Sequence, residues 1–384
     1  MSSGIYLDHH ATTPVDKRVL EKMLPFFTEE FGNPSSIDHL YGIDAKKAVD
    51  KARCGIAKIL GCRKDSEIIF TSGATESNNL TIIGAFRKYK EKGNHIISTE
   101  IEHPSVLDTL YYLKSEENAD ITLIPVDKYG MINLSQLKDS IKDKTILISV
   151  MFANNEIGTI QPIKEVGKIA KEKGILFHCD AAQAVGHEHV NVYAFGIDLL
   201  SFSAHKFYGP KGIGGLFIRS FSPMVRLTPI MYGGGHERGF RSGTLNVPGI
   251  IGMAEALKIA KKEMDIERER LKKVKNHIYQ SLLNEFPGIK LNGHPENRLA
   301  HNLSITIPNI ESKALILKLK GKLSFSAGSA CSTVKIKPSH VLKAIGLPEE
   351  KTFQTIRISL GRGTLEDNIS DILIKGIKVL KSGS

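Results

Sequence analysis

Short apolar runs alternate along the chain with longer stretches in which an apolar residue returns every third or fourth position. SEIIFTSG (66–73), NHIIST (94–99), ADITLIPV (119–126), TILISVMFAN (145–154), ILFHCDAAQ (175–183) and LLSFS (199–203) read as buried strands. Amphipathic patterns near 16–30, 39–60, 75–92 and 162–173 read as helices, with the turn Gly32-Asn33-Pro34-Ser35-Ser36 between the first two. Strands alternating with helices of this length indicate a largely parallel α/β sheet. Several strands end in small or polar residues that open a loop, and ligands of such sheets sit at the strands' carboxyl ends.

The texture changes past residue 250. MAEALKIAKKEMDIERERLKKVKNHIYQSLLNEF (253–286) is one long helix whose charges form a solvated face and whose apolar stripe packs inward. Two short strands (HNLSITIP, TIRISLG), the small-residue segment SFSAGSACST and a closing helix complete the chain. We therefore expect a large domain over 15–255 and a smaller α+β domain over 256–384, completed by the extended residues 1–14.

Composition narrows the function class. No run of 18 apolar residues occurs in the 384, so no membrane span is expected. The start, MSSGIYLDHHATTP, has neither a basic opening nor an apolar segment, and no secretion signal is expected. Cys54, Cys62, Cys179 and Cys331 form no CxxC pair, which points to a reducing, cytoplasmic setting. The net charge of +11 belongs to lysines spread over helices; with no arginine-rich block or basic aromatic stripe, no nucleic-acid partner is expected. No metal is expected either. His178, Cys179 and Asp180 alternate between faces of a strand, and His187-Glu188-His189 lacks a third ligand.

The chemistry gathers at strand ends. LLSFSAHKFYGPKGIGG places Lys206 at the mouth of a buried strand, where partial desolvation lowers an ammonium pKa and frees a nucleophilic amine. Ser203 and His205 beside it suit an anion, as for a Schiff-base lysine next to a phosphate. Ala74-Thr75, opening a helix after a strand, offer backbone N–H groups to a phosphate, or else belong to a plain capping box with Glu76. Asp180 could face a protonated pyridine nitrogen, or cap a following helix. His103 in Glu102-His103-Pro104 is either a ring-stacking acid/base or structural. Asn155 offers an amide at the same edge, or marks a turn. The loop from Gly233 to Thr244 closes over a phosphate or merely connects. Arg357 is a bidentate carboxylate ligand or an ion-paired strand arginine. Cys331, among small residues, has the surroundings of an exposed nucleophilic thiol, unlike Cys54, Cys62 and Cys179, which read as structural.

Taken in order, these motifs strongly resemble the cysteine desulfurases of the NifS/IscS type, pyridoxal-phosphate (PLP) enzymes of the aspartate aminotransferase fold (fold type I). The resemblance runs from Tyr6-Leu-Asp-His-His-Ala-Thr-Thr-Pro to Ser359-Leu-Gly-Arg362, through TSGATESNN, Glu102-His103, NNEIG, HCDAAQ, SFSAHKFYGPKGIGG, GGGHERGFRSGT, SAGSACS and RISLGR. It implies that Lys206 bonds the cofactor and moves the Cα proton. Asp180 pairs with the pyridine nitrogen, Gln183 reaches the phenolic oxygen, and His103 stacks on the ring. Ala74, Thr75, Ser203 and His205 bind the phosphate, and Thr244 reaches the phosphate of the other subunit of a homodimer. Asn155 touches the cofactor and, with Arg357, grips the substrate carboxylate. The implied reaction takes sulfur from L-cysteine, leaving a persulfide on Cys331 and releasing L-alanine. The segment from Cys331 to Leu342 is long, as in members that hand sulfur to acceptors through a mobile loop. The close at KVLKSGS is shorter than in members whose tail docks an iron–sulfur scaffold protein, which counts against a scaffold as acceptor and leaves tRNA thiolation and a DNA-modification pathway open beside it. A selenocysteine lyase or another PLP-dependent lyase or aminotransferase of this fold is the alternative, as is a catalytically silent partner- or nucleic-acid-binding protein.

Overall fold

The computed structural model describes residues 4–328, 337–365 and 368–382. After the two-residue strand β1 (Ile5–Tyr6), the helix expected near 16–30 is two pieces, α1 (Lys17–Met23) and α2 (Pro25–Thr28). Pro25 is the reason: it has no N–H to continue α1, and its ring fits the first position of a new helix. α3 (Leu40–Leu60) begins at His39, whose side chain accepts from the Gly42 amide, and ends at Gly61 in the left-handed conformation (φ 73°).

The central sheet comprises β2 (Ile68–Thr71), β3 (His95–Thr99), β4 (Asp120–Ile124), β5 (Thr145–Ser149), β6 (Leu176–Asp180), β7 (Leu199–Ser203) and β8 (Gly214–Ile218), in the order β2-β8-β7-β6-β5-β3-β4. Helices α4 (Ala74–Tyr89), α5 (Pro104–Glu116), α6 (Leu134–Asp139) and α7 (Ile163–Lys173) form its crossovers. The sheet is parallel apart from β8, which runs antiparallel to both neighbours. This strand falls in a stretch whose glycines read as loop. Its glycines serve packing instead: a Cβ on Gly215 would lie 2.3 Å from the ring of Phe202, and one on Gly214 would lie 2.6 Å from the Gly73 backbone. Gly215→Ala should therefore destabilise the protein by about 1–3 kcal/mol, read as a lower urea midpoint.

β2, β3, β5, β6 and β7 end on the same edge, each buried to its last residue. Apolar side chains fill both faces of the sheet, one around Phe177, Phe202 and Phe217, the other around Leu80, Ile96 and Leu216.

α8 (Val247–Glu285) is 39 residues long and crosses from this core to a second one. Ile250, Met253 and Leu257 pack under the large sheet, whereas Leu271, Val274, Ile278 and Leu282 pack under the smaller. That smaller sheet is antiparallel. It contains β9 (Lys290–Leu291), β10 (Asn302–Thr306), β12 (Ser326–Ala327) and β13 (Thr355–Ser359), in the order β12-β13-β10-β9. Between β10 and β12 lie α9 (Ser312–Lys318) and β11 (Leu323–Ser324), and β11 pairs in parallel with β1. Three helices follow β12: α10 (His340–Ala344), α11 (Glu349–Phe353) and α12 (Ile369–Ser382). Among the described residues no helix is long and apolar enough to cross a membrane.

Candidate active site

The shared edge of the large sheet, the N-terminal segment and β13 enclose a cleft of 590 Å³, within the usual range for a small-molecule site. Its lining includes Ala74, Thr75, His103, Asn155, Asp180, Gln183, Ser203, His205, Lys206 and Arg357. Ten residues expected to act together thus converge from six separate segments of the sequence. Thr244 is not among them; it is exposed on a loop outside the cleft. Cys331 lies outside the described residues.

Lys206 closes a single 3₁₀ turn, Ala204–Lys206, directly after β7. Its Nζ donates to the carbonyls of His10 at 2.5 Å and Ala11 at 2.9 Å. Burial, and then the charge of Arg357, push its pKa down to about 8. The free amine is thus a minor form at pH 7 and the main one above about pH 8.

Asp180 ends β6, only 6% exposed. Its Oδ1 accepts from the Ala182 amide at 2.9 Å and its Oδ2 from Asn78 Nδ2 at 2.8 Å. No helix follows, so the capping alternative gives way: the carboxylate closes a turn and lines the cleft. Asn78 is one helical turn beyond Ala74, hence on the same face of α4. That spacing is present in the stretch from Ala74 to Asn78. Its Oδ1 is buried without a partner.

At the start of α4 the N-cap is Gly73, which has no side chain to bond the first amides. Glu76 reaches back to the Ser72 amide at 2.8 Å, giving one limb of a capping box. The amides of Ala74 and Thr75 are left open to an anion beside Ser203, whose own hydroxyl lines the cleft. His205 bonds Thr12 Oγ1 through Nδ1 at 3.1 Å, and burial followed by Lys206 and Lys211 pushes its pKa down to about 4. It is a neutral ring at neutral pH.

His103 is the N-cap of α5. Its Nδ1 accepts from the Ser105 amide at 3.1 Å, which leaves the proton of the neutral ring on Nε2. The ring is open to solvent at the mouth but walled by protein elsewhere, which holds its pKa below the ordinary range.

Arg357 comes from β13, opposite Ser326 of β12. Its Nη2 bonds Asp8 Oδ1 at 2.8 Å, and its Nη1 donates to the Asn155 backbone carbonyl at 3.0 Å. The side chain is 12% exposed, so this ion pair sits in the wall of the cleft and not on the outer surface. Its Nε is buried without a partner. The turn that presents Asn155 is built by Asn154, which accepts from the amides of Glu156 and Ile157 and donates to the Ile101 carbonyl.

Two buried groups near the cleft escaped the sequence reading, His10 and Glu102. Glu102 Oε1 accepts from Thr99 Oγ1 at 2.8 Å and from the Met151 amide at 2.9 Å, while Oε2 has no partner. Burial pushes its carboxyl up to about 8 against those two bonds, with Asp180 adding to the rise. Between the ordinary value of 4.5 and about 8, the folded chain holds a proton that the unfolded chain has released, so stability falls as pH rises through this window. From pH 5 to pH 8 the native protein should lose roughly 2–5 kcal/mol that Glu102→Gln retains, measured by urea unfolding at each pH.

The donor set suits a ring carrying a phosphate. It offers open helix-end amides and hydroxyls for an anion, a buried carboxylate with an unpartnered amide oxygen close by, and a deprotonatable amine. Among the described residues no group of three or more His, Cys, Asp and Glu could hold a metal ion.

Residues 5–372 match the family described as aminotransferase class-V. The chain is 48% identical over 369 residues to "Cysteine desulfurase IscS" of Neisseria meningitidis serogroup C / serotype 2a, an overlap covering 96% of this chain and 90% of the relative. Its structure is similar to that of a "NifS-like protein", with a TM-score of 0.91 and 39% identity over 99% of this chain and 100% of the other. It is also similar to "SspA in complex with cysteine", with a TM-score of 0.81 and 38% identity over 92% of this chain and 98% of that one.

Proposed function

The chain belongs to the class-V aminotransferase family and, within it, to the cysteine desulfurases of the NifS/IscS type, and on that premise we propose that it uses pyridoxal phosphate to move sulfur from L-cysteine to Cys331. The observation that carries this reading is the meeting of Lys206, Asp180 and His103 with Arg357 in one cleft. Lys206 would bond the cofactor through its amine. Asp180 would face the pyridine nitrogen, Gln183 the phenolic oxygen and His103 the ring plane. The amides of Ala74 and Thr75, with Ser203 and His205, would take the phosphate. When bound, pyridoxal phosphate supplies an electron-accepting ring that acidifies the substrate's Cα–H bond.

The protein's own groups then have distinct tasks. Arg357 and Asn155 take the cysteine carboxylate, which competes with Asp8 for the guanidinium. This fixes Cα within reach of Lys206, whose amine removes and returns the proton. Asp180, only 6% exposed, is placed to pair with a protonated ring nitrogen. His103, with its proton on Nε2, exchanges protons at the cleft mouth. The Cys331 thiolate attacks the substrate sulfur: an S–S bond forms as the C–S bond breaks, and the carbon takes a proton and leaves as alanine. The persulfide sulfur then passes to an acceptor protein, either an iron–sulfur scaffold or a thiolation enzyme.

A homodimer is part of the reading. Leu20, Leu24, Phe27, Phe31, Leu40 and Tyr41, between α1 and the start of α3, are 45–72% exposed, large apolar side chains of the kind a partner surface covers. Thr244, outside its own cleft, is free to serve the neighbouring one. The deciding assay incubates the cofactor-loaded protein with L-cysteine and a reductant and follows alanine and sulfide together. Equal amounts of both are expected. Absence of alanine would rule the reading out.

A further inference from the structure

His10 has no part in the roles above, yet it touches two of the residues that do. Its carbonyl accepts from Lys206 Nζ at 2.5 Å and from Gln183 Nε2 at 3.1 Å, and its ring Nδ1 lies 2.7 Å from Gln183 Oε1. The end of the Gln183 amide that meets the His10 carbonyl is its NH₂ group, because only an N–H can donate there. Its oxygen therefore faces Nδ1, and since an amide oxygen only accepts, Nδ1 carries the proton. Nε2 is then a bare acceptor, 3.2 Å from Asn302 Nδ2.

Asn302 is oriented independently. Its Oδ1 accepts from Arg298 Nη2 at 2.7 Å, and its Nδ2 also donates to the Glu156 carbonyl at 3.0 Å. Arg298 is buried and donates besides to the carbonyls of Ile157 and Asn292. The donors thus run one way, from Arg298 to Asn302 to His10 to Gln183. The plane of the His10 ring is held by His301, stacked at 4.6 Å and 21°, and His301 packs in turn on His187 at 4.3 Å. Burial, and then Arg357, keep His10 well below the ordinary histidine range, with Lys206 and His187 acting in the same direction. The neutral ring that the hydrogen bonds require is the form present at working pH.

From this one-way chain we infer that His10 is a positioning residue, holding the NH₂ group of Gln183, and not its oxygen, toward the cofactor's phenolic oxygen. One N–H of Gln183 is occupied by the His10 carbonyl; the second is bonded to no described residue, and Gln183 lines the cleft. A donor there favours the ionised oxygen and so lowers the pH at which it loses its proton. The inference rests on the proposed place of Gln183, and its test separates the two.

With holoenzyme, the readout is the pH midpoint of the bound cofactor's visible absorbance change, with a thermal melt for each variant as a check on folding. His10→Phe keeps the stacked ring and the backbone carbonyl and removes the nitrogens, so Gln183 Oε1 loses its donor and the amide is free to turn away. It should raise the midpoint by about one pH unit. Gln183→Leu should raise it as much, the double variant no further, and His10→Asn, whose amide can donate from the Nδ1 position, should restore the native value. If His10→Phe does not fold, His10→Leu carries the same expectation. A shift in Gln183→Leu with none in the His10 variants overturns the positioning role and leaves Gln183 in place. So does a shift in His10→Asn as large as in His10→Phe, since the N–H would then be irrelevant. No shift in Gln183→Leu removes Gln183 from the phenolic oxygen, and the role of His10 falls with it.

Discussion

Lys206→Ala should reduce alanine formation from L-cysteine by about 1,000-fold or more, while the protein remains folded. On the proposed roles the size follows from two losses at one atom: the covalent hold on the cofactor and the base that moves the Cα proton. Positioned proton transfer alone contributes about 10²–10⁴-fold. Lys211 also lines the cleft but is exposed, without the burial that frees the Lys206 amine, so it is no substitute. Lys206→Arg should be nearly as inactive, because a guanidinium keeps the charge yet neither bonds an aldehyde nor gives up its proton at this pH. The native enzyme should show the matching pH dependence. Since Lys206 acts as the free amine and titrates near pH 8, the rate of its reaction with added pyridoxal phosphate should climb through that pH and level off above it. A Lys206→Ala protein retaining more than about a tenth of the native rate would remove the lysine from the chemistry.

Cys331→Ala should abolish sulfide release and persulfide formation together, with alanine production falling by about 100-fold or more. The argument is one of bond balance. Cysteine becomes alanine only if something takes its sulfur, and no other described cysteine is equipped to do so: Cys179 is fully buried, with burial pushing its thiol well up, and burial likewise pushes Cys62 up. Cys54 is exposed on α3, outside the cleft. The chain that continues to Cys331 leaves the small sheet at β12, where Ser326 pairs with Arg357. Persulfide is read by alkylation and mass measurement after a single turnover. Alanine undiminished by the substitution would mean that sulfur or selenium leaves without a protein thiol, as in a lyase. Native alanine with no alkylatable persulfide on Cys331 would overturn its acceptor role in the same way.

The two kinds of residue in this site differ in how visible they are along the chain. Lys206, Asp180, His103 and Asn155 each follow an apolar run, and a strand that ends in a polar residue carries its own signal; parallel pairing then brings the ends to one edge. Nothing local marks His10. Its partners Gln183, Asn302 and Lys206 are 173, 292 and 196 residues away, and only the docking of the N-terminal segment against both sheets joins them. Arg357 could be placed on a strand, but its ion pair with Asp8 spans 349 residues and depends on tertiary structure in the same way. β8 was hidden for another reason. Its glycines look like loop residues because the usual strand signal is side-chain bulk, and here the room for bulk is already taken by Phe202. Pro25 shows the reverse case, a plain local break inside an apolar spacing that continues past it.

α8 gives the site a mechanical property. At 1.5 Å per residue it is a strut roughly 58 Å long, and each of its halves is a wall of a different core. Arg357 hangs from the sheet at one end and Lys206 from the sheet at the other. Any change in the gap between the carboxylate anchor and the amine must bend a continuous hydrogen-bonded helix or tear apolar contacts from one of its ends. On the roles proposed for Arg357 and Lys206, the gap that L-cysteine must span is thereby set before substrate arrives, with the stiffness located far from the chemistry it serves.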